Sequence, residues 1–330
     1  MSLMRAWQVG ELGEPADVLH WVEASVPEPG PGQILIQVHA AAANFPDALL
    51  CRGLYQVRPE LPFTPGVEGC GTVLAVGSGV DWIAVGDRVM GGAALPHGSF
   101  AEVAMLDQGA TFRAPDALDD GEAAAFTIAY QTGWVALHRR VGIQPGQTLL
   151  VHAAAGGVGS AAVQLGKAAG ASVIGVASGP QKSQVVRELG ADVVVDRLAE
   201  DFVEVVKDAT KGRGVDLVFD PVGGDAFDRS TKCIAFEGSI IVVGFAGGRI
   251  QSAALNHALV KNYSIVGLHW GLYLAKDPSV VQQAHEELMD LVAKGSIRPL
   301  IGDRLPMSAV PTGVQSLADG STVGRVVFDA

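Results

Sequence analysis

The chain has 330 residues, of which 48% are hydrophobic, 18% charged and 6% aromatic. This composition is typical of a folded globular protein and excludes a chain that is disordered over most of its length. The 35 acidic residues outnumber the 23 basic ones, giving a formal net charge of −12, and no run of Lys and Arg could neutralise successive phosphates. We therefore expect no nucleic acid as the main partner. The length predicts two domains, or one large one.

Cysteine usage and the N-terminal sequence indicate the cellular compartment. The only cysteines, Cys51, Cys70 and Cys233, lie far apart and in no C-x-x-C spacing, which favours a reducing compartment over a disulfide framework. The first fifteen residues lack the basic and continuously apolar regions of a signal peptide. The longest apolar stretch, 149–178, is interrupted by glycines and polar residues, unlike a membrane span. We predict a cytoplasmic protein with no membrane partner.

The first third of the chain differs in pattern from the middle. Residues 5–113 are strand-like and rich in Gly and Pro, with β runs at 33–40 and 71–76. Residues 121–140 then favour a helix, and strands alternate with helical stretches up to about residue 267. The predicted strands of this alternating region are 148–152, 172–176, 193–196, 217–220 and 239–243, and its helices include 181–189 and 202–209. Such alternation predicts a doubly wound parallel sheet in an α/β protein.

The last predicted elements follow this alternating region. They are a strand after Tyr263, a long helix at 279–294 and a closing strand at 325–328. We expect these pieces to return to the first domain, which would make that domain discontinuous.

A glycine-rich turn separates a buried strand from a helix. The apolar residues 149–153 lead into Ala154-Ala155-Gly156-Gly157-Val158-Gly159, which fits G-x-G-x-x-G with Ala154 at the first glycine. Gly156 would allow backbone N–H groups to approach a pyrophosphate, and Gly159 would allow the helix to pack close to the sheet. A turn of this kind is weak evidence alone, but its place at the start of a β–α series predicts dinucleotide binding at Gly156, Gly157 and Val158.

The end of the second strand of this series indicates which dinucleotide is bound. An acidic residue there would bind the ribose 2′-OH of NAD, whereas this chain has Ser178 in Val176-Ala177-Ser178-Gly179-Pro180. Lys182, in the next helix, and Arg197, after the third strand, are candidate cations for a 2′-phosphate; each could also be an ordinary surface charge. Together with the missing acid they favour NADP over NAD.

Several motifs in order resemble the medium-chain dehydrogenase/reductase superfamily, and within it the zinc-independent NADPH:quinone oxidoreductases, over nearly the whole length. The motifs are Ala42-Ala43-Asn44-Phe45-Pro46-Asp47, Arg52-Gly53-Leu54-Tyr55, Pro65-Gly66-Val67-Glu68-Gly69, Gly86-Asp87-Arg88-Val89, Gly98-Ser99-Phe100-Ala101-Glu102, the glycine-rich turn and Leu189-Gly190-Ala191-Asp192. The resemblance implies a GroES-like, β-rich substrate domain, here residues 1–122 and 268–330, and a Rossmann NADP-binding domain, 123–267, with catalysis in the cleft.

The resemblance also implies that no zinc is bound. Zinc-dependent relatives carry a Cys where Asn44 stands and Gly-His-Glu where this chain has Gly66-Val67-Glu68. Their lobe of four cysteines is replaced here by residues 91–97, which contain none. A zinc site needs such a ligand set, so we expect no metal, and we expect Cys51 and Cys70 to be buried packing residues.

Without a Lewis acid, the implied chemistry is hydride transfer from reduced nicotinamide to a quinone or an α,β-unsaturated carbonyl, a chemistry that the cofactor itself carries. Asn44 is the first candidate for a polar group near the nicotinamide and the acceptor; the alternative is a buried, turn-capping Asn. Asp47 could transfer protons, but we favour orientation of the loop through backbone hydrogen bonds. Tyr55 could donate to the acceptor oxygen or stack in the pocket.

Further cofactor contacts carry over from the family. Thr127 holds a position that meets the nicotinamide side, with helix capping or back-bonding as the alternative. Arg325 matches a basic position near the cofactor phosphates, although a rim salt bridge is an alternative. The remaining predicted contacts follow the ends of later strands and are Val222, Phe245, Ala246, Leu268, His269 and Trp270. For His269 and Trp270, plain packing is the alternative.

Three functions remain open at this point. The leading hypothesis is an NADPH-dependent quinone reductase. The second is a reductase of enones or enoyl thioesters, although no Lys/Arg cluster near residues 55–62 suggests a coenzyme A site. The third, from another class, is a non-catalytic NADPH-binding protein such as a lens crystallin or an RNA-binding protein. The apolar, β-prone segments 238–243 and 263–267 would leave an exposed sheet edge. In the family that the chain resembles, this edge pairs with its own copy across a two-fold axis, so the resemblance implies a homodimer; the alternative is that a loop of the same chain covers the edge.

Overall fold

The computed structural model describes residues 2–330, which form two compact units. One unit comprises residues 2–128 together with Arg298–Ala330, and the other is Ala129–Ile297. The C-terminal return to the first unit begins at Arg298, later than the expected residue 268. The difference arises because the helix α11 (Pro278–Ala293) buries Val281, Ala284 and Leu288 within the second unit.

The first unit is built mainly on antiparallel strands, and its last two strands pair in parallel. A hairpin of β1 (Leu3–Val9) and β2 (Leu19–Ser25) accompanies a six-stranded sheet. The sheet strands are β3 (Gln33–Ala42), β4 (Glu68–Val76), β5 (Arg88–Ala93), β6 (Val103–Arg113), β13 (Ile301–Pro306) and β14 (Arg325–Asp329). Their order is β13-β14-β3-β4-β5-β6, and β6 also pairs with β3, so four of the strands close into a barrel. The barrel interior holds alternate apolar residues such as Ile34, Ile36 and Val38.

Four helices complete the first unit. They are α1 (Pro15–Val18), α2 (Phe45–Cys51), α3 (Asp120–Ala124) and α12 (Val310–Ala318). Helix α2 begins immediately after β3, with Asn44 as its N-cap residue and Pro46 in its first turn. The polar residues that precede and open α2 are thereby placed at the end of a buried strand.

The second unit contains the predicted parallel sheet. Its strands are β7 (Thr148–Val151), β8 (Ser172–Ala177), β9 (Val193–Asp196), β10 (Val215–Asp220), β11 (Ile234–Val242) and β12 (Ser264–Gly267). They pair in parallel in the order β12-β11-β10-β7-β8-β9. The order reverses beside β7, so the first strand has neighbours on both sides. This doubly wound parallel sheet is the one predicted for an α/β protein.

Helices precede, connect and follow these strands. They are α4 (Thr127–Trp134), which starts in the first unit, α5 (Gly157–Ala168), α6 (Pro180–Glu188), α7 (Phe202–Ala209), α8 (Asp225–Ser230), α9 (Leu255–Lys261), α10 (Gly271–Lys276) and α11. The single helix expected over 121–140 is instead α3, α4 and a π-helical segment, Val135–Arg140. Within residues 2–330, no helix combines the length and the apolar character needed to cross a membrane.

Candidate cofactor and active site

A buried polar cluster lies in the first unit where β3, β4 and β14 meet. Asn44, Asp47, Glu68 and Arg325 are each at most 5% exposed. The Arg325 guanidinium donates to Glu68 Oε2 at 2.6 Å and to Asn44 Oδ1 at 2.8 Å. Glu68 Oε2 also accepts from Asn44 Nδ2 at 3.1 Å, and Glu68 Oε1 accepts from the backbone N–H of Ile128 at 2.7 Å. Three predicted site residues are thus brought together around Glu68.

The hydrogen bonds of Asn44 define what its amide can offer a ligand. Asn44 Nδ2 donates to the carbonyl of Ala42 at 3.2 Å and to Glu68 at 3.1 Å, which uses both of its N–H groups. Its Oδ1 accepts from Arg325 and keeps a second lone pair. In this arrangement Asn44 can accept a hydrogen bond from a ligand, but it has no N–H left to stabilise an oxyanion.

The Asp47 side chain hydrogen-bonds to the backbone of two segments, the start of α2 and the residues just before β4. Its carboxylate accepts from the N–H of Asn44 at 2.8 Å, of Gly66 at 2.9 Å and of Val67 at 3.0 Å. Burial raises the pKa of Asp47 to about 7, although these three donors oppose the shift. Contacts of this kind orient a loop, and the orienting role of Asp47 stays a prediction. Tyr55 is half-buried nearby, and burial, with the charge of Asp47, raises its phenolic pKa.

The Glu68–Arg325 ion pair was not predicted. Burial raises the pKa of Glu68, and the Arg325 charge opposes that shift. Arg325 is 5% exposed, so in this structure its charge is compensated inside the unit rather than at a rim. Its Nε is buried without a hydrogen-bond partner. The sequence signal for Glu68 was an acid between glycines at the start of an apolar strand, but its partner is 257 residues away.

Thr127, at the start of α4, has a side-chain hydroxyl that makes no hydrogen bond. The residue is fully buried, and its Oγ1 has no hydrogen-bond partner. The alternative reading, in which the hydroxyl bonds back to its own helix, therefore has no support in this structure. A buried polar atom without a partner costs free energy, and a ligand group that bonds to it recovers that cost.

The glycine-rich turn in the second unit is suited to a pyrophosphate. Gly156 is the N-cap residue of α5, with extended backbone and no side-chain cap, and Gly157 and Val158 open the helix. The first N–H groups of a helix have no partners within it, and their dipoles favour an anion. A Cβ at position 159 would lie 2.2 Å from the carbonyl oxygen of Ala153, so only glycine fits there. The role of this turn in cofactor binding stays a prediction.

The residues predicted to select NADP lie at two neighbouring strand ends. Ser178 follows β8 and Arg197 follows β9, and these strands pair at Ala177 and Asp196. Lys182 is in the first turn of α6 and is half-buried, whereas Arg197 is exposed. Burial lowers the pKa of Lys182, and the charge of Arg197 lowers it further. The two cations therefore interact with each other, as expected for a pair that would share a phosphate.

The other predicted contacts follow β10, β11 and β12. The N–H of Val222 donates to Asp220 Oδ1 at 2.9 Å, and the N–H of Ala246 donates to the carbonyl of Pro221 at 3.0 Å. Phe245 is 38% exposed. These residues lie beyond the carboxyl ends of parallel strands, where open sheets of this type bind ligands.

The segment after β12 is only partly engaged in packing. Leu268 is half-buried, and its N–H donates to the carbonyl of Val242 at 3.1 Å. His269 is exposed, which does not match the packing alternative. Trp270 is half-buried and donates from Nε1 to Gln131 Oε1 at 3.0 Å. Leu268 and His269 thus remain accessible candidates, whereas the indole N–H of Trp270 is already used.

Two family models match most of the chain. Residues 30–116 match the alcohol dehydrogenase GroES-like domain, and residues 157–294 match the zinc-binding dehydrogenase family. Among residues 2–330, no group of three or more His, Cys, Asp or Glu side chains is arranged to hold a metal ion. Glu68, the acid of the Gly66-Val67-Glu68 motif, is bound to Arg325, Asn44 and Ile128.

Relatives and solved structures match along nearly the full length. A quinone oxidoreductase-like protein 2 homolog from Nematostella vectensis is 39% identical over 98% of this chain and 88% of that protein. Escherichia coli quinone oxidoreductase, solved in complex with NADPH, is 30% identical, with a TM-score of 0.90 and 100% of both chains covered. The mycobacterial protein Rv1454c, also solved with NADPH, is 33% identical, with a TM-score of 0.91 and coverage of 99% and 100%. The predicted resemblance is confirmed, and the chain belongs to the quinone oxidoreductase-like family of the medium-chain dehydrogenase/reductase superfamily.

Proposed function

We propose that the protein is an NADPH-dependent reductase that transfers hydride, or electrons, to a quinone. The cofactor is NADP(H), and the observation that carries the assignment is the uncapped glycine turn of α5 together with the Lys182–Arg197 pair. Bound NADPH would supply the hydride. Gly156, Gly157 and Val158 would hold its pyrophosphate, and Ser178, Lys182 and Arg197 its 2′-phosphate.

The substrate-side roles are assigned to the first unit. We propose that Asn44 and Thr127 bind the nicotinamide end of the cofactor, Asn44 as an acceptor and Thr127 through its unused hydroxyl. Asp47 is assigned to loop orientation through its three backbone N–H bonds. Tyr55 remains the candidate donor to the acceptor oxygen, because its phenol is half-buried and, with a pKa raised from an ordinary value of 10, is protonated at neutral pH.

A quinone is the proposed acceptor because relatives at 30–39% identity bear quinone oxidoreductase names. Oxidation of NADPH should be assayed with a panel of quinones, enones and enoyl thioesters. We expect turnover with quinones, and the same panel with NADH gives the cofactor preference. Turnover with enones or enoyl thioesters alone would replace this proposal with the second hypothesis. NADPH binding without any turnover would favour a non-catalytic binding protein.

We further propose that the reaction does not use zinc. The proposal is supported by Asn44 and Val67 at the positions of the Cys and His of zinc-dependent relatives, and by the engagement of Glu68 with Arg325. Elemental analysis of protein purified without added metal, and again after incubation with zinc and dialysis, tests this directly. Near one zinc per chain would contradict it.

A homodimer is proposed from one edge of the parallel sheet. Strand β12 is the edge strand, and the neighbouring helix α9 buries none of its residues. Leu255, Leu259 and Val260 are each more than 70% exposed. A second copy that pairs along β12 would cover both features in an isologous contact. Because apolar area and backbone bonds would form this contact, light scattering should give a dimer in both moderate and high salt; a monomer at micromolar concentration would contradict it.

We also propose that the protein works in the cytoplasm. The proposal is supported by the three cysteines, which are free and buried, as expected in a reducing compartment. Cell fractionation with an antibody to the native protein tests this, and recovery in a secreted or membrane fraction would contradict it.

A further inference from the structure

Two short loops carry the residues assigned to the 2′-phosphate. The first, after β8, contains Ser178 and Gly179 and leads into α6 with Lys182. The second, after β9, contains Arg197 and Leu198. The loops are adjacent because β8 and β9 pair up to Ala177 and Asp196, and the N–H of Arg197 donates to the carbonyl of Ala177 at 2.9 Å.

One carboxylate oxygen connects these loops. Asp196 Oδ1 accepts from the N–H of Gly179 at 2.8 Å and from the N–H of Leu198 at 3.0 Å. Gly179 has φ +84°, a backbone conformation that favours glycine, and it is the N-cap residue of α6. The Asp196 side chain therefore fixes the start of the helix that carries Lys182 against the loop that carries Arg197.

The arrangement keeps two positive charges close together. The charge of Arg197 adds to burial in lowering the pKa of Lys182, so the two groups repel each other. A bound phosphate relieves that repulsion, whereas the neutral 2′-hydroxyl of NADH does not. Selectivity for NADPH therefore depends on the loops staying together against the repulsion of their cations.

We infer that Asp196 is a positioning residue for cofactor selectivity, which holds Lys182 and Arg197 at the spacing that a 2′-phosphate requires. The inference rests on the proposed NADPH function. Asp196 acts through its hydrogen bonds and not through its charge, since a negative charge would weaken phosphate binding. A neutral side chain that accepts the same two N–H groups should therefore replace it.

The test compares Asp196→Ala with Asp196→Asn by titrating NADPH and NADH into each protein and following nucleotide fluorescence. Alanine removes both bonds, and we expect the Kd for NADPH to rise about tenfold while the Kd for NADH stays within about twofold. The Asn amide oxygen can accept from both Gly179 and Leu198, so Asp196→Asn should stay within about threefold of the wild type for both nucleotides.

Two further variants test the mechanism. Asp192→Ala is the matched control, because Asp192 also accepts a backbone N–H, from Val173 at 2.7 Å, but bonds to neither cation loop; the NADPH/NADH ratio should not change. In a Lys182→Ala/Arg197→Ala protein, adding Asp196→Ala should change NADPH binding by less than about twofold, since the residues through which it acts are absent.

Several outcomes would overturn the inference. If Asp196→Ala weakened the binding of NADPH and of NADH equally, Asp196 would have a general structural role. Stronger weakening of NADH than of NADPH would indicate that the carboxylate binds a ribose hydroxyl itself. A loss of NADPH affinity in Asp196→Asn as large as that in Asp196→Ala would show that the charge is required. Absence of NADPH binding in the wild type would instead refute the proposed function.

Discussion

The buried cluster of the first unit and the cofactor residues of the second unit differ in how many hydrogen bonds their polar groups already make within the protein. In the cluster, Asp47 and Glu68 each accept hydrogen bonds from three groups that are within the unit, and little is left for a ligand. In the second unit, the start of α5 has no side-chain cap, and Arg197 is exposed. The hydrogen bonds of the first region fix its shape, whereas the N–H groups at the start of α5 are available to an anion.

Among the variants that test this comparison, we expect the largest change in the free energy of unfolding at Arg325. Arg325→Met leaves Glu68 buried without its cation, which should lower the free energy of unfolding by about 3–5 kcal/mol. The matched control is Arg304→Met, because the Arg304–Asp119 pair is largely exposed and should contribute at most about 1 kcal/mol. Denaturant unfolding measures both.

The double variant Glu68→Gln/Arg325→Met separates charge from packing in the same measurement. Removing both charges should recover part of the stability lost in Arg325→Met, because no uncompensated carboxylate remains. A double variant that is less stable than Arg325→Met would show that the cost does not come from the unpaired Glu68.

The next largest effect is expected at the glycine turn. In Gly159→Ala the new Cβ would lie 2.2 Å from the Ala153 carbonyl, so the turn must shift, at a cost of about 3 kcal/mol. NADPH affinity should fall with it. Gly10→Ala is the control, because its Cβ would meet nothing within 4 Å. Thermal unfolding and nucleotide titration should show no change in that control, and unchanged NADPH binding in Gly159→Ala would contradict the role of the turn.

A smaller effect, with a defined pH dependence, is expected at Asp47. In Asp47→Asn the NH₂ group would face one of the three N–H donors, which should lower the free energy of unfolding by about 2 kcal/mol. Burial raises the pKa of Asp47 to about 7 from an ordinary value of 3.8, so the folded state binds its proton more tightly than the unfolded state. This contribution to stability is complete below pH 3.8 and is lost as the pH rises through 7.

The direction of this pKa shift determines how the stabilities of the wild type and of Asp47→Asn should differ between two pH values. The stability difference between the wild type and Asp47→Asn should be larger at pH 5 than at pH 8, because only the wild type loses this contribution. Denaturant unfolding at both values checks it. A difference that grows as the pH rises would show that the pKa of Asp47 is lowered on folding instead.

The smallest effect is expected in the second unit, without loss of stability. Lys182→Ala should weaken NADPH binding about tenfold and leave NADH nearly unchanged, since it removes one charge-assisted hydrogen bond to the 2′-phosphate. Lys207→Ala, which removes a half-exposed lysine on α7 that pairs with Glu204, is the control. If NADH binds as tightly as NADPH in the wild type, the assignment of Ser178, Lys182 and Arg197 is wrong.

Local pattern was sufficient to predict most elements of the fold. The strands 193–196 and the helix 202–209 have the predicted bounds, and β3, β8 and α11 differ by two residues or fewer. Strand β11 starts five residues earlier than predicted. Its pairing with β10 shifts register after Val215, and Glu237 has φ +60°, so the alternation that marks a strand is interrupted there.

The sites were predictable to the extent that sequence neighbours form them. The turn at 154–159 and the pair of Ser178 and Lys182 could be predicted because consecutive residues carry their signals. Glu68 and Asp196 were missed, because their roles depend on partners from other elements: Arg325 for Glu68, and Gly179 for Asp196. Composition and spacing give no information about which distant donors a carboxylate will meet.

The origin of Arg325 in the last strand has a consequence during protein synthesis. Glu68 leaves the ribosome early, but its cation follows 257 residues later, after the whole second unit has been made. At translation rates of roughly 5–20 residues per second, the nascent first unit waits about 10–50 s with neither that charge nor the strand β14 that pairs with β3. During this interval the edge of β3 and the carboxylate of Glu68 are open to the wrong partners, so this half of the protein should depend most on chaperones.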